Sequence, residues 1–196
     1  IVGDSPTHIP SPNSPVDPVV AISFSGTRDL RRVLLLRRGN GDTVEKTEYG
    51  IESFYDEKTL LLRAFEIMES YPIVVTFNGD DFDLPYLRNR AERLGIPKER
   101  VPISLGRDAA TLKSGIHLDL YRFFNNKSVQ VYAFDNKYRE FTLEGIAKAL
   151  LGYGKVPLEK TLGELSAQDL ADYSYRDSQL LHDMVEAGDR LLLRLM

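Results

Sequence analysis

The sequence predicts an α/β fold, on three observations. Two apolar, strand-like runs stand close together near the start, a β-branched run turns sharply into a helix in the middle, and the end carries apolar residues at three- and four-residue spacing. With 196 residues, 42% hydrophobic and 28% charged, the chain is long enough for one sizeable core and short for two. A single domain is expected over residues 19–196, behind a proline-rich lead-in at 1–18.

The lead-in holds five prolines among Ser, Asp and Asn, which favours an extended loop. Val19–Ser25 and Val33–Arg37 then read as two strands joined by a short charged segment with Gly26, an antiparallel hairpin. Asp56–Ser70 places Leu61, Leu62, Phe65, Ile67 and Met68 at helical spacing, and Pro72 ends that helix. Ile73–Phe77 is β-branched and apolar, Asn78 and Gly79 turn the chain, and a helix is expected from about Phe82 to Leu94. Pro85 suits the first turn of that helix, where a missing N–H costs nothing.

Ile116–Tyr121 alternates as a strand should, with Ile116, Leu118 and Leu120 on one face and His117, Asp119 and Tyr121 on the other. Thr142 caps a helix with Leu143, Ile146, Ala147 and Leu150 as its stripe, closed by Gly152. The last helix is expected from near Ser166 to the end of the chain. There is no internal repeat and no low-complexity tract.

Composition narrows the chemistry. No run approaches the roughly 18 apolar residues of a membrane span, so the protein is expected to be soluble, without a membrane partner. Zero cysteines exclude disulfides, zinc thiolate sites and cysteine nucleophiles, and three scattered histidines leave any metal chemistry to carboxylates. Oxygen ligands favour hard cations such as Mg²⁺ or Mn²⁺. A net charge of −4 argues against gripping duplex DNA through the overall field, though a local basic groove is compatible with it. The absence of a secretory signal agrees with an intracellular, cytoplasmic protein. A start at Ile1 and an abrupt Leu-Met end read as a piece excised from a longer chain.

In the last helix Leu170, Tyr173, Asp177, Leu180, Leu181 and Met184 share one face. An Asp within a core-facing stripe is costly unless a basic group or a metal pairs with it. Asp83 falls at a helix start beyond the carboxyl end of a buried strand, where α/β folds place ligands. Capping is the plain role for an acid there, and Asp80 and Asp81 compete for it; three acids cannot all cap one helix, which leaves one as a candidate ligand. His117 and Asp119 form an H-x-D pair that suits either ligation or a structural, hydrogen-bonded histidine. Residues 121–141 interleave rings such as Phe123 and Tyr132 with Lys and Arg, a pattern shared by single-strand binders and by a β-hairpin with one buried face.

These residues fit a family. Thr76–Leu87, TFNGDDFDLPYL, resembles the second exonuclease motif of B-family DNA polymerases, in which an Asn is followed four and five residues later by Phe and the catalytic Asp. Tyr173–Asp177, YSYRD, resembles the third motif, Y-x-x-x-D, about 90 residues on, with the IHLDLY strand between them. Asp17–Gly26 and Thr142–Gly152 extend the likeness, which is closest to the archaeal members. The resemblance implies a ribonuclease-H-like (DnaQ-like) α/β fold with a mixed central sheet flanked by helices, and 3′→5′ proofreading hydrolysis of single-stranded or mispaired DNA. It implies two Mg²⁺ (or Mn²⁺) ions held in part by Asp83 and Asp177, and Tyr173 orienting the attacking water. Asn78 and Phe82 would meet the frayed 3′ strand, with Phe123 and Tyr132 as further DNA contacts. The partners implied are single-stranded or primer–template DNA and the rest of a polymerase chain, in an archaeal-like, nucleoid-associated setting.

By spacing, the family's first motif, D-x-E, falls at or immediately before Ile1, and Ile1-Val2-Gly3-Asp4 does not contain it. A chain starting just after the motif would be an active domain's remainder. A degenerate motif would make the chain an inactive scaffold or a strand-binding module. Without that central strand its neighbours would lack a partner, so a compact fold needs the strand from residues outside the chain, from a partner or from a rearranged N-terminus.

Overall fold

The computed structural model describes residues 1–3, 10–39, 44–45, 47–154 and 164–187. Four strands form the main sheet in the order β1 (Val2–Gly3), β2 (Val19–Gly26), β3 (Leu30–Leu36) and β4 (Gly50–Phe54). β1, β2 and β3 pair antiparallel, and β3 and β4 pair parallel, so the sheet is mixed as the resemblance implies. The β2–β3 hairpin is the one expected, with β3 beginning earlier than Val33; β4 was not anticipated, because Gly50–Phe54 has no clear alternation.

Both faces of this sheet are covered, which is why β2 and β3 read as nearly continuous apolar runs. Ile22 and Leu34 pack with α1 (Glu57–Glu69) and α2 (Asp83–Arg93), through Leu60, Leu61, Ala64, Phe65, Leu84 and Leu87. On the other face Val20, Ala21 and Leu35 meet Leu170 of α5, and Val33 meets its Ala171 and Tyr175; α5 is described over Ala167–Ala187. The expected continuation of α5 beyond Ala187 lies outside the described residues, as do residues 4–9 of the lead-in.

A second, parallel pair joins β5 (Ile73–Thr76) to β8 (Ile116–Asp119), and β6 (Ile103–Leu105) with β7 (Ala110–Leu112) forms a small antiparallel hairpin. Over β5 and β8 lie α3 (Leu120–Phe124), α4 (Leu143–Leu151) and the later turns of α5, through Leu120, Phe124, Ile146, Leu180 and Met184. The caps expected at Thr142 and Gly152 are present: the Thr142 hydroxyl accepts from Gly145 N, and Gly152 is left-handed at φ 81°.

One expectation is corrected and one open alternative is decided. The strand drawn over Ile116–Tyr121 stops at Asp119, whose carboxylate accepts from Tyr121 N and starts α3; Ile116 is 57% exposed. Residues 121–141 form no hairpin either. They build α3, a π-helical turn at Val129–Ala133 and a loop, with Phe124 and Tyr138 buried edge-to-face at 5.6 Å.

Where it is described, the lead-in lies against α2. Asn89 Nδ2 donates to Pro12 O at 2.8 Å, Arg90 Nη1 to Pro15 O and Val16 O at 3.0 and 2.8 Å, and Tyr86 Oη to Asp17 O at 2.7 Å. Val2 and Gly3 lie opposite Ala21 and Val19, so the N-terminus lines the edge of β2 as a two-residue strand.

Candidate active site

β5 and β8 run in register, with Thr76 opposite Asp119, and both open onto one end of their sheet. There the chain must reverse from β5 into α2. Asn78 takes a left-handed conformation, φ 63°, which Asn tolerates better than most residues. Gly79 follows because a Cβ at that position would stand 2.5 Å from Cβ of Thr76. Asn78 O accepts from Phe82 N at 3.1 Å and Gly79 O from Leu84 N at 2.9 Å, so the turn's own carbonyls begin the helix.

Asp119 secures that turn. It is buried, and its Oδ1 accepts from Asn78 N at 2.7 Å and Tyr121 N at 3.0 Å while Oδ2 accepts from Asp80 N at 3.0 Å. The fold then sorts the three neighbouring acids. Asp80 is buried, accepts from Ala110 N at 2.8 Å and pairs with Arg122 Nε at 2.7 Å. Asp81 is largely exposed, with Arg122 Nη2 3.7 Å away. Asp83 is the first residue of α2, and the N-cap residue, Phe82, makes no side-chain capping bond. Asp83 is half-buried there, with the backbone nitrogen of Ile1 3.1 Å from its Oδ1.

His117 takes the structural role. One ring nitrogen bonds Thr76 Oγ1 at 2.7 Å, and Nδ1 lies 3.2 Å from Ala110 O and 3.4 Å from Asp80 Oδ1.

The apolar face of α5 is rotated from the one expected. Leu170, Leu180 and Met184 are buried, but Ala171, Ser174 and Tyr175 join them, while Tyr173, Asp177 and Leu181 lie half-buried at the margin. Asp177 is therefore at the border of the core, where a charge is cheaper to keep. Two serine contacts fix this stretch on β2: Ser23 Oγ donates to Ser174 O at 2.5 Å, and the Ser25 and Ser178 hydroxyls are 3.0 Å apart. Tyr175 stacks on Tyr49, centroids 4.2 Å apart, and Tyr49 Oη donates to Asp172 at 2.5 Å. Tyr173 packs against the cluster that contains Val2, next to the Ile1 that meets Asp83.

Of the strand-contact candidates, Phe82 is half-buried and stacks on Tyr86 with centroids 5.7 Å apart. Phe123 packs edge-on against Phe124 at 5.3 Å, and Tyr132 on the π-helical turn is 88% exposed. For a metal, the donors match a hard cation in kind, since Asp83 and Asp177 offer oxygen and the protein has no cysteine. Among the described residues, no three His, Asp or Glu side chains converge as a cation cage. Sequence reasoning missed the role of Asp119 and the Asp80–Arg122 pair. An Asp ending a strand before a short helix is a capping signal, and the H-x-D reading concealed it.

A family model described as DNA polymerase family B, exonuclease domain, matches residues 4–136. DNA polymerase 1 of Saccharolobus solfataricus is 40% identical over 192 residues, which cover 96% of this chain and 22% of that protein. DNA polymerase 1 of Aeropyrum pernix is 40% identical over 196 residues, 97% of this chain and 20% of that protein. DNA polymerase 1 of Sulfolobus acidocaldarius is 40% identical over 191 residues, 96% and 22%. The chain thus spans about a fifth of the length of these relatives. The family match encloses Asn78, Phe82, Asp83 and Asp119, and the archaeal relatives extend the similarity over nearly the whole chain, so the chain belongs to the exonuclease domain family of the family B DNA polymerases.

Proposed function

We propose that this domain is a 3′→5′ exonuclease that hydrolyses the terminal phosphodiester of single-stranded or mispaired DNA, working within a DNA polymerase on primer–template ends in the cytoplasm. The observation that carries the reading is Asp83: of the three acids that follow the Asn78–Gly79 turn, Asp80 is buried in an ion pair and Asp81 points to solvent, while Asp83 stands half-buried as the first residue of α2.

In this reading Asp83 and Asp177 would hold divalent cations, Mg²⁺ or Mn²⁺, two when the site is complete. When bound, such a pair lowers the pKa of the attacking water and offsets charge on the leaving 3′ oxygen. Tyr173, one helical turn before Asp177, would orient that water. Asn78 and Phe82 would seat the terminal nucleotide, and Phe123 and the exposed Tyr132 would offer faces on which single-stranded bases stack.

The test uses a 5′-labelled primer with a 3′ mispair, Mg²⁺, and the protein at its natural length. Shortening of the mispaired strand is expected. Asp83→Ala or Asp177→Ala should slow it about 10³-fold, the effect of losing several kcal/mol of charge stabilisation. Tyr173→Phe should cost on the order of 10- to 10²-fold. No shortening by the natural protein, or shortening unaffected by either Ala substitution, would refute the assignment and leave a scaffold or strand-binding role.

A further inference from the structure

We infer that Asp119 is a positioning residue for the Asp83 site: its buried carboxylate sets where α2 begins and thus where the Asp83 carboxylate stands. The inference rests on the assignment of Asp83 just proposed. Three backbone N–H groups from two segments converge on Asp119. Two belong to Asn78 and Asp80, which flank Gly79 in the reversal out of β5. The third, Tyr121 N, ties the same carboxylate to α3, so turn and helix are registered on one side chain.

Both oxygens of the side chain accept, Oδ1 twice and Oδ2 once. Asn78 is left-handed, and a residue in that conformation persists only where its surroundings hold it. The carbonyls of Asn78 and Gly79, fixed by that turn, receive Phe82 N and Leu84 N, the amides on either side of Asp83. Displacement of Asn78 or Asp80 is therefore transmitted through two hydrogen bonds to the residue that would hold the cation. Asp80 adds a second hold at Ala110 N and Arg122, but through its side chain, so it fixes the turn's rim and not its backbone path.

Asp119→Asn is the informative variant. Its amide oxygen can replace Oδ1 toward Asn78 and Tyr121, but its NH₂ then confronts Asp80 N–H, donor against donor. Thr142→Ala, which removes the α4 cap away from this turn, is the control for general loss of stability. Three readouts are taken on the full-length protein: exonuclease kcat on a single strand, the Mn²⁺ concentration for half-maximal activity, and amide hydrogen exchange. Asp119→Asn is expected to lower kcat about 10- to 100-fold and raise half-saturating Mn²⁺ several-fold. Exchange should quicken at Asn78 and Asp80 and also at Phe82 and Leu84. Thr142→Ala should change none of these. Unchanged exchange at Phe82 and Leu84, or a kcat loss with Mn²⁺ dependence unmoved, would overturn the inference. If the natural protein degrades no DNA, the exonuclease reading fails by itself, and exchange still decides: spread from Asn78 to Leu84 supports the hold of Asp119 on the Asp83 segment, and its absence overturns it.

Discussion

Glu57 has 8% of its surface exposed, and both of its carboxylate oxygens are engaged. Arg90 meets them in a fork, Nε to Oε1 at 2.8 Å and Nη2 to Oε2 at 2.6 Å, and Val19 N adds a bond of 2.7 Å to Oε1. A buried pair of this kind adds little over a well-packed apolar pair, but breaking it leaves one charge stranded at a cost of about 3–5 kcal/mol. The two halves are not equivalent. Arg90 also donates to Pro15 O and Val16 O, so its loss frees the lead-in as well as Glu57. Arg90→Met is expected to destabilise by about 3–5 kcal/mol and Glu57→Gln by less, as measured by urea unfolding. Limited proteolysis should find new cuts near Pro12–Val16 in Arg90→Met alone. Equal losses with no new cut would show that the lead-in is held by other contacts. None of this was legible in the sequence, where Glu57 and Arg90 are two charges on different helices with nothing local to couple them.

Among the elements, those with a strong local signal were legible. Thr142 caps α4 as its residue type and spacing imply, by a bond to the backbone three residues on, and Asp56, where the expected helical range begins, caps α1 in the same way. The β2–β3 hairpin was read from its two apolar runs, but its turn breaks the usual rule. Leu30 N donates to Thr27 O at 3.3 Å across Arg28 and Asp29, both left-handed at φ 59° and 57°. Such two-residue turns favour Asn-Gly, and an Arg in this conformation carries steric cost. The Asp29–Arg31 pair is 3.9 Å apart and widely exposed, so it offsets little. Replacing Arg28→Asn and Asp29→Gly together should therefore stabilise the protein by about 1–2 kcal/mol, with the denaturant slope unchanged. A loss of stability would mean that the native side chains carry contacts outweighing the strain. The short strands β4, β6 and β7 escaped for the opposite reason: at three to five residues they carry no readable period and are fixed by their neighbours.

At the scale of the molecule, the sequence marked Asp83, Tyr173 and Asp177 individually, through a strand–turn–helix and a one-turn spacing. The contacts that fix the segments carrying them are tertiary: the hold of Asp119 on the turn before Asp83 and the serine contacts between β2 and α5. Those depend on residues more than forty or a hundred positions apart, which no local pattern reveals. The tyrosines report on the same integration. Tyr86 lies in the core under α1 and α2, Tyr138 in the cluster of α3 and α4, and Tyr49 with Tyr175 against β3 and α5. Burial raises all four phenols above their usual value, and in Tyr49 the bond to Asp172 raises it further. Because the folded values exceed the unfolded value of about 10, the protonated phenols favour the fold. That contribution is complete below about pH 10 and is lost as pH rises through the folded values. Since these phenols sit in different clusters, no one layer can release them all, and their ionisation should accompany global unfolding. Phenolate absorbance and far-UV circular dichroism, followed together above pH 10, should show the late-titrating tyrosines and the loss of helix at one midpoint. Tyr49→Phe should shift that midpoint upward, because it removes the group whose burial and acidic neighbour both oppose ionisation. Ionisation of all the tyrosines with the helix signal intact would mean that the clusters open independently, and the single-core account would fail.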